Sequence, residues 1–114
     1  MQKDNWVYVG HMLDMAQKGI QILGGKNREE YGRDETMQFA LIHLVQVIGE
    51  AAQHRSPEFR KAYPQVPWHE VIGMRNRIVH DYLNVDEDVI WEVVHHDLPP
   101  LIETLKTILP PDLL

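Results

Sequence analysis

Four residues that could do chemistry stand close together in the stretch Trp68–Tyr82, W-H-E-V-I-G-M-R-N-R-I-V-H-D-Y: Arg75, Asn76, Arg77 and His80, with Asp81 and Tyr82 directly after them. An imidazole can take or give a proton near neutral pH without help. A guanidinium presents a planar fork of donors that fits two oxygens of a phosphate. Together these two groups suffice for RNA cleavage without a metal. His80 would accept the ribose 2′-OH proton or donate one to the departing 5′ oxygen. Arg75 would hold the scissile phosphate and offset the charge that builds on its oxygens. Asn76, four residues before His80, would orient the imidazole or contact the phosphate, and Arg77 would position the RNA backbone. No other part of the chain is as dense in such groups.

Helical geometry limits this arrangement. At 100° per residue the apolar stripe of the stretch is Met74, Ile78, Val71, Val79 and Ile72, and Arg75 falls inside it. The other side carries Gly73, Asn76, Arg77 and His80. Arg75 and His80 are five residues apart, about 140° on an ideal helix, so a straight helix does not aim both at one phosphate. Either the helix ends near His80 and the chain turns back, or two protomers contribute. An arginine within an apolar stripe suits a symmetric helix–helix interface around a polar cleft. Two simpler roles remain open. Arg75 could pair with a carboxylate of a neighbouring helix, Glu50 being the candidate, or the basic residues could only complement a helix C-terminus.

The elements that must position this stretch are helical. Asp4 or Asn5 caps a first helix running to about Leu23, and Gly24-Gly25 stops it. Its apolar residues Trp6, Val9, Leu13, Ala16, Ile20 and Leu23 form one buried face. Lys26 to Arg33 is a polar, charged connector. Asp34 caps a second helix to about Gln53, whose wide stripe (Met37, Ala40, Leu41, Leu44, Val45, Ile48, Ala51, Ala52) makes it central. Phe39 and Val47 lie outside that stripe and suggest cover on more than one side. Ser56-Pro57 opens a short third helix to about Ala62, and Pro64 and Pro67 hold an extended crossing. The motif helix then runs to about His80. Asp81 to Val85 is a loop, and Asp86 caps a last helix through Leu109 that Pro99-Pro100 must kink or split, with Asp97 available to cap its second half. The expected fold is all-α, an antiparallel bundle of four main helices plus a short one.

A chain of 114 residues is expected to be one domain, 1–114. It has no run of apolar residues that could span a membrane and no apolar region near Met1 resembling a secretory signal. Zero cysteines exclude disulfides, thiol catalysis and thiolate metal sites. The expected compartment is the cytoplasm. A net charge of −6 argues against broad non-specific nucleic-acid binding, yet leaves room for a local basic site. Of the eleven basic residues, Arg55, Arg60, Lys61, Arg75 and Arg77 lie in the central third, while acidic residues crowd the region from Asp81 to Glu103.

Read whole, P-W-H-E-V-I-G-M-R-N-R-I-V-H-D-Y-L-N-V-D (Pro67–Asp86) resembles the signature of the HepT-like family, HEPN-domain toxins normally paired with an MNT-type nucleotidyltransferase antitoxin. The likeness extends to V-I-G-E-A-A (Val47–Ala52), S-P-E-F-R-K-A-Y-P (Ser56–Pro64), V-I-W-E-V-V and D-L-P, so it covers about two thirds of the chain. The resemblance implies an all-α HEPN-like homodimer that cleaves RNA without metal or cofactor through R-x4-6-H motifs meeting at its interface. Arg75 and His80 match the fixed positions, Asn76 the polar residue that commonly follows the arginine, and Tyr82 the longer R-x4-H-x-Y form. It further implies that the antitoxin transfers AMP from ATP to Tyr82. Bulk and negative charge would then stand two residues beyond His80, where the RNA phosphate must lie.

The alternative is a non-catalytic helical module that binds a nucleotide or the nucleotidyltransferase. The seven histidines do not carry a metal-binding spacing. His11, His43, His54 and His69 are expected at the surface, and Trp68 and Trp91 in the core. Glu50 has either a structural pairing or a supporting role at the site.

Overall fold

The computed structural model describes residues 2–81 and 84–113; the side chains of Gln2, Lys3, Val79, His80, Asp81 and Asn84 are not among those described. Helix α1 (Gln2–Leu23) ends where Gly24 takes φ +55°, the left-handed value that glycine adopts without penalty. Helix α3 (Glu35–Gln53) starts at Asp34, whose carboxylate accepts from the Met37 N–H, and α4 (Pro57–Ala62) at Ser56, whose hydroxyl accepts from the Phe59 N–H. Both caps are where the residue types predict them.

Between α1 and α3 the structure departs from expectation. Residues 26–33 are not a mere connector: Asn27 and Glu30 form a reciprocal capping box on a short helix, α2 (Arg28–Gly32). That helix buries Tyr31 completely. The Tyr31 hydroxyl donates to the Glu87 carbonyl at 2.8 Å, and Gln38 Nε2 donates to the Tyr31 carbonyl at 2.9 Å. A run this charged hides a single aromatic anchor, which periodicity over eight residues cannot reveal.

Helix α5 (Trp68–Ile78) carries the motif. It ends two residues before the expected limit. Val79–Asp81 (β1) is extended and pairs antiparallel with Asn84–Val85 (β2), Val79 opposite Val85 and Asp81 opposite Asn84. Of the expected loop, Asp81 and Asn84–Val85 thus belong to a short ribbon. β-Branched Val79 and Val85 favour extended backbone.

Asp86 caps α6 (Glu87–Glu92) through a bond from the Val89 N–H. A π-helical turn, Val93–Asp97, leads directly into α7 (Leu98–Ile108), which carries Pro99 and Pro100 at its start. The last helix is therefore split before the proline pair, as expected. Asp97, however, makes no capping bond.

α1 packs along α3 and α7, and α3 also packs along α5. One core joins them, including Val9, Met12, Leu41, Ile48, Val71, Ile78, Ile90, Leu98 and Leu105. The fold is an all-α bundle of four main helical elements: α1, α3, α5 and α6 through α7. Phe39 is 64% exposed, so α3 is not covered on that side. No helix among the described residues is long and apolar enough to cross a membrane.

Candidate functional site

The start of α5 is fixed by its neighbours. The Pro67 carbonyl accepts the first helical bond from Val71 N–H at 3.0 Å, and Trp68, buried as expected, donates from its indole to the Tyr63 carbonyl at 3.0 Å. Where α5 crosses α3, a Cβ at Gly49 would stand 3.4 Å from the Val71 carbonyl oxygen and 3.5 Å from that of Ile72. The glycine lets the two backbones approach closely. Trp68, Val71, Met74 and Ile78 are the buried residues of α5.

Arg75 is not buried with them. It is exposed, and so are Asn76 and Arg77. In the C-terminal turns the buried arc narrows to Met74 and Ile78, and Arg75 stands about 60° beyond Ile78 on the helical wheel, far enough to leave the core. Its guanidinium donates to Asn76 Oδ1 at 3.4 Å. The suggested partner Glu50 is exposed on α3, and among the described residues no ion pair joins it to Arg75.

Past Ile78 the backbone changes course. The Ile78 carbonyl accepts from the Asp86 N–H at 2.7 Å, and β1 begins with the next residue. His80 therefore sits on extended backbone, and the 140° separation of an unbroken helix does not apply to it. Tyr82 lies outside the described residues.

Arg77 takes a different direction from Arg75, about 160° away around the helix. Its Nη1 donates to Asp97 Oδ2 at 3.0 Å, across to the π-helical turn. The pair stands in a groove of about 500 Å³ between α5 and α7, floored by Val71, Met74, Pro100 and Leu101. Sequence reasoning missed Asp97 as a partner of the motif. The signal was the proline pair, which forces the preceding turn to rearrange.

Burial perturbs two groups away from the motif, Tyr31 and Arg55. Burial pushes the Tyr31 phenol well above its ordinary value, aided by the nearby Glu87 carboxylate. It lowers the Arg55 guanidinium, which Tyr8 and Asp4 partly offset. Arg55 is only 5% exposed; it donates to the carbonyls of Ala51 and Asp4 and to Asn5 Oδ1, and lies 4.1 Å from the Tyr8 ring centroid. Its bonds tie the end of α3 to the start of α1. Among the other histidines, His11, His43, His54 and His69 are exposed, as expected.

Residues 12–108 match the family model described as Ribonuclease HepT-like. The chain belongs to this HepT-like family. Its motif and helical bundle agree with that membership. A protein of Caldanaerobacter subterraneus subsp. tengcongensis named "Putative RNase" is 32% identical over 102 residues, 90% of this chain and 91% of its own length. A second protein so named, from Methanocaldococcus jannaschii, is 26% identical over 107 residues, 94% of this chain and 98% of its own. A "Probable ribonuclease HepT" of Thermococcus cleftensis is 37% identical over 73 residues, 64% of this chain and 66% of its own. No solved structure matches the chain significantly.

Proposed function

We propose that this HepT-like chain is a metal-independent endoribonuclease, the toxin of a toxin–antitoxin pair, acting as a homodimer in the cytoplasm through a single domain spanning residues 1–114. The observation that carries this reading is the break in the motif helix. Arg75 and Asn76 stand exposed on the last turn of α5, and His80 comes after them on extended backbone rather than on the far side of the same helix. The break removes the geometric objection to R-x4-H acting on one phosphate. The family membership and the ribonuclease names of its relatives support the same reading.

In the proposed reaction the ribose 2′-oxygen attacks the phosphorus and the P–O5′ bond breaks, leaving a cyclic 2′,3′-phosphate and a 5′-hydroxyl. His80 takes the 2′-OH proton or supplies one to the leaving oxygen. Arg75 bears the charge gathering on the non-bridging oxygens, and Asn76 assists it. An arginine exposed in one protomer is also available to a cleft shared with a second.

Silencing would come from AMP transfer to Tyr82. The phenol oxygen bonds to the ATP α-phosphorus, pyrophosphate leaves and the phenol proton is lost, in a reaction run by a nucleotidyltransferase antitoxin. The added phosphate repels the RNA backbone.

The test is incubation of purified protein with RNA in the presence of EDTA. Wild type is expected to yield 5′-hydroxyl ends, and His80→Ala none, with an unchanged melting temperature and dimer mass. Retained cleavage in His80→Ala removes the imidazole from the mechanism. The net charge of −6 favours a second reading, a non-catalytic module binding a nucleotide or the nucleotidyltransferase. Under it, the wild-type protein leaves RNA intact.

A further inference from the structure

We infer that Asp97 is a positioning residue: it holds Arg77, and through it the last turn of α5 and the segment that carries His80. The inference rests on the nuclease reading of that site and gives Arg77 a role other than contact with RNA.

Pro99 and Pro100 create the need for it. Neither can donate a backbone bond, and in an unbroken α-helix their rings would strike the carbonyls of His95 and His96. The chain meets this with the wide turn Val93–Asp97, in which the Leu98 N–H reaches back five residues to the Val93 carbonyl. Such a turn adds one residue and rotates the helix beyond it by about 100° relative to a continuous α-helix. These turns are uncommon and are frequent at functional sites.

The residue that ends this turn is Asp97. It stands at the N-cap position of α7, where a carboxylate would accept from the second or third helical N–H; those residues are Pro99 and Pro100, which have none, so Asp97 makes no capping bond. Its carboxylate instead meets Arg77 Nη1 at 3.0 Å, twenty residues back along the chain. Arg77 is the penultimate residue of α5. One residue later the Ile78 carbonyl accepts the Asp86 N–H, and Val79 begins the ribbon with Val85. The last turn of α5 is thus held on one flank by the ion pair and at its end by the ribbon. Arg75 lies on the opposite flank. Any roll of this turn would move Arg75 and the entry into β1 together, and displacements near 1 Å at a reacting centre can cost as much as 100-fold in rate.

The pair is only partly buried, Arg77 49% and Asp97 36% exposed, so it contributes little to global stability and its variants fold. The test compares Asp97→Asn, Arg77→Ala, the double variant and the swapped pair Arg77→Asp/Asp97→Arg. Cleavage of a defined RNA is measured at saturating substrate, and RNA affinity is measured in a His80→Ala background. Both single variants are expected to lose about tenfold in rate with affinity within about twofold, the double variant to lose no more than either, and the swapped pair to recover much of the loss. Hydrogen exchange of the Asp86 amide, which bonds Ile78, is expected to quicken in both singles. A loss of RNA affinity in Arg77→Ala together with unchanged or tighter binding in Asp97→Asn would make Arg77 an RNA contact and overturn the inference. Should wild type leave RNA intact, the nuclease reading fails by itself. The exchange experiment still judges the pair, and an Asp86 amide that exchanges at the wild-type rate in Asp97→Asn overturns it.

Discussion

Arg75→Ala separates the catalytic from the structural role of the motif arginine, because the two predict opposite outcomes in two measurements. The side chain is exposed, and its contact with Asn76 Oδ1 at 3.4 Å is at the long limit of a hydrogen bond. Removing such a group is expected to change stability by no more than about 0.5 kcal/mol. For a chain of this size that moves the melting temperature by at most about 2–4 °C. A guanidinium that stabilises charge in the transition state is worth far more, on the order of 10²–10³ in rate, or about 2.7–4 kcal/mol. Urea unfolding at two protein concentrations gives the first quantity without confusing it with dimer dissociation. Initial rates on a defined RNA with EDTA give the second. Arg75→Lys, which keeps the charge and loses the fork, is expected to fall between wild type and alanine. A destabilisation of about 3–5 kcal/mol would mark a broken buried ion pair and refute the geometry described here. Undiminished cleavage in a normally folded alanine variant would refute the chemistry.

Three further outcomes are expected from the same structure. Arg55→Leu, by contrast with Arg75→Ala, is expected to cost about 2–3 kcal/mol in a urea unfolding experiment, because it removes two bonds to Asp4 and Asn5 at the start of α1 and one to the Ala51 carbonyl at the end of α3. Tyr31→Phe is expected to cost about 1 kcal/mol at neutral pH through loss of the bond to the Glu87 carbonyl. Because burial raises the Tyr31 phenol, the unfolded chain ionises first; the stability contributed by the protonated phenol is complete below about pH 10 and is lost as pH rises toward the folded value. Urea midpoints at pH 8 and pH 11 should therefore fall further for wild type than for the phenylalanine variant. Tyr82→Phe is expected to keep RNA cleavage and to resist silencing by a nucleotidyltransferase with ATP, read as the absence of a 329 Da mass increase (about the mass of one AMP less water) and of inhibition.

The helices were legible because their signals are local. Asp34, Ser56 and Asp86 each cap the helix that comes after them, and Gly24 ends the first one, because a side-chain oxygen or a left-handed glycine acts within four residues of its own position. Tyr31 was not legible. One aromatic in a charged run looks like a surface residue until Trp91, 5.4 Å away, and the Glu87 carbonyl arrive from the far end of the sequence. The end of α5 lies between these cases. Ile78-Val79 continues the helical period, so the pattern runs on to His80. The pairing with Val85 that pulls Val79 into a strand is a tertiary fact.

The same division explains what the sequence could say about the site. It brings Arg75, Asn76, Arg77 and His80 into one short stretch, and a wheel of that stretch puts Arg75 and Arg77 on different flanks. It could not say what meets each flank. Arg75 emerges because the buried arc narrows to Met74 and Ile78, which depends on where α3 crosses α5 at Gly49. Arg77 is engaged because two prolines twenty-odd residues later cannot continue an unbroken α-helix, and the π-helical turn before them delivers a carboxylate. In the sequence, Pro99-Pro100 reads as a fault in the last helix, and Asp97 as that helix's own cap. The first signal is sound, but its consequence lies on another element; the second fails because Pro99 and Pro100 have no N–H for a cap to accept. A proline pair inside a continuous helix is thus a reason to ask which side chain the displaced turn presents, and to what. Here the answer is the arginine two positions beyond the one proposed to hold the phosphate.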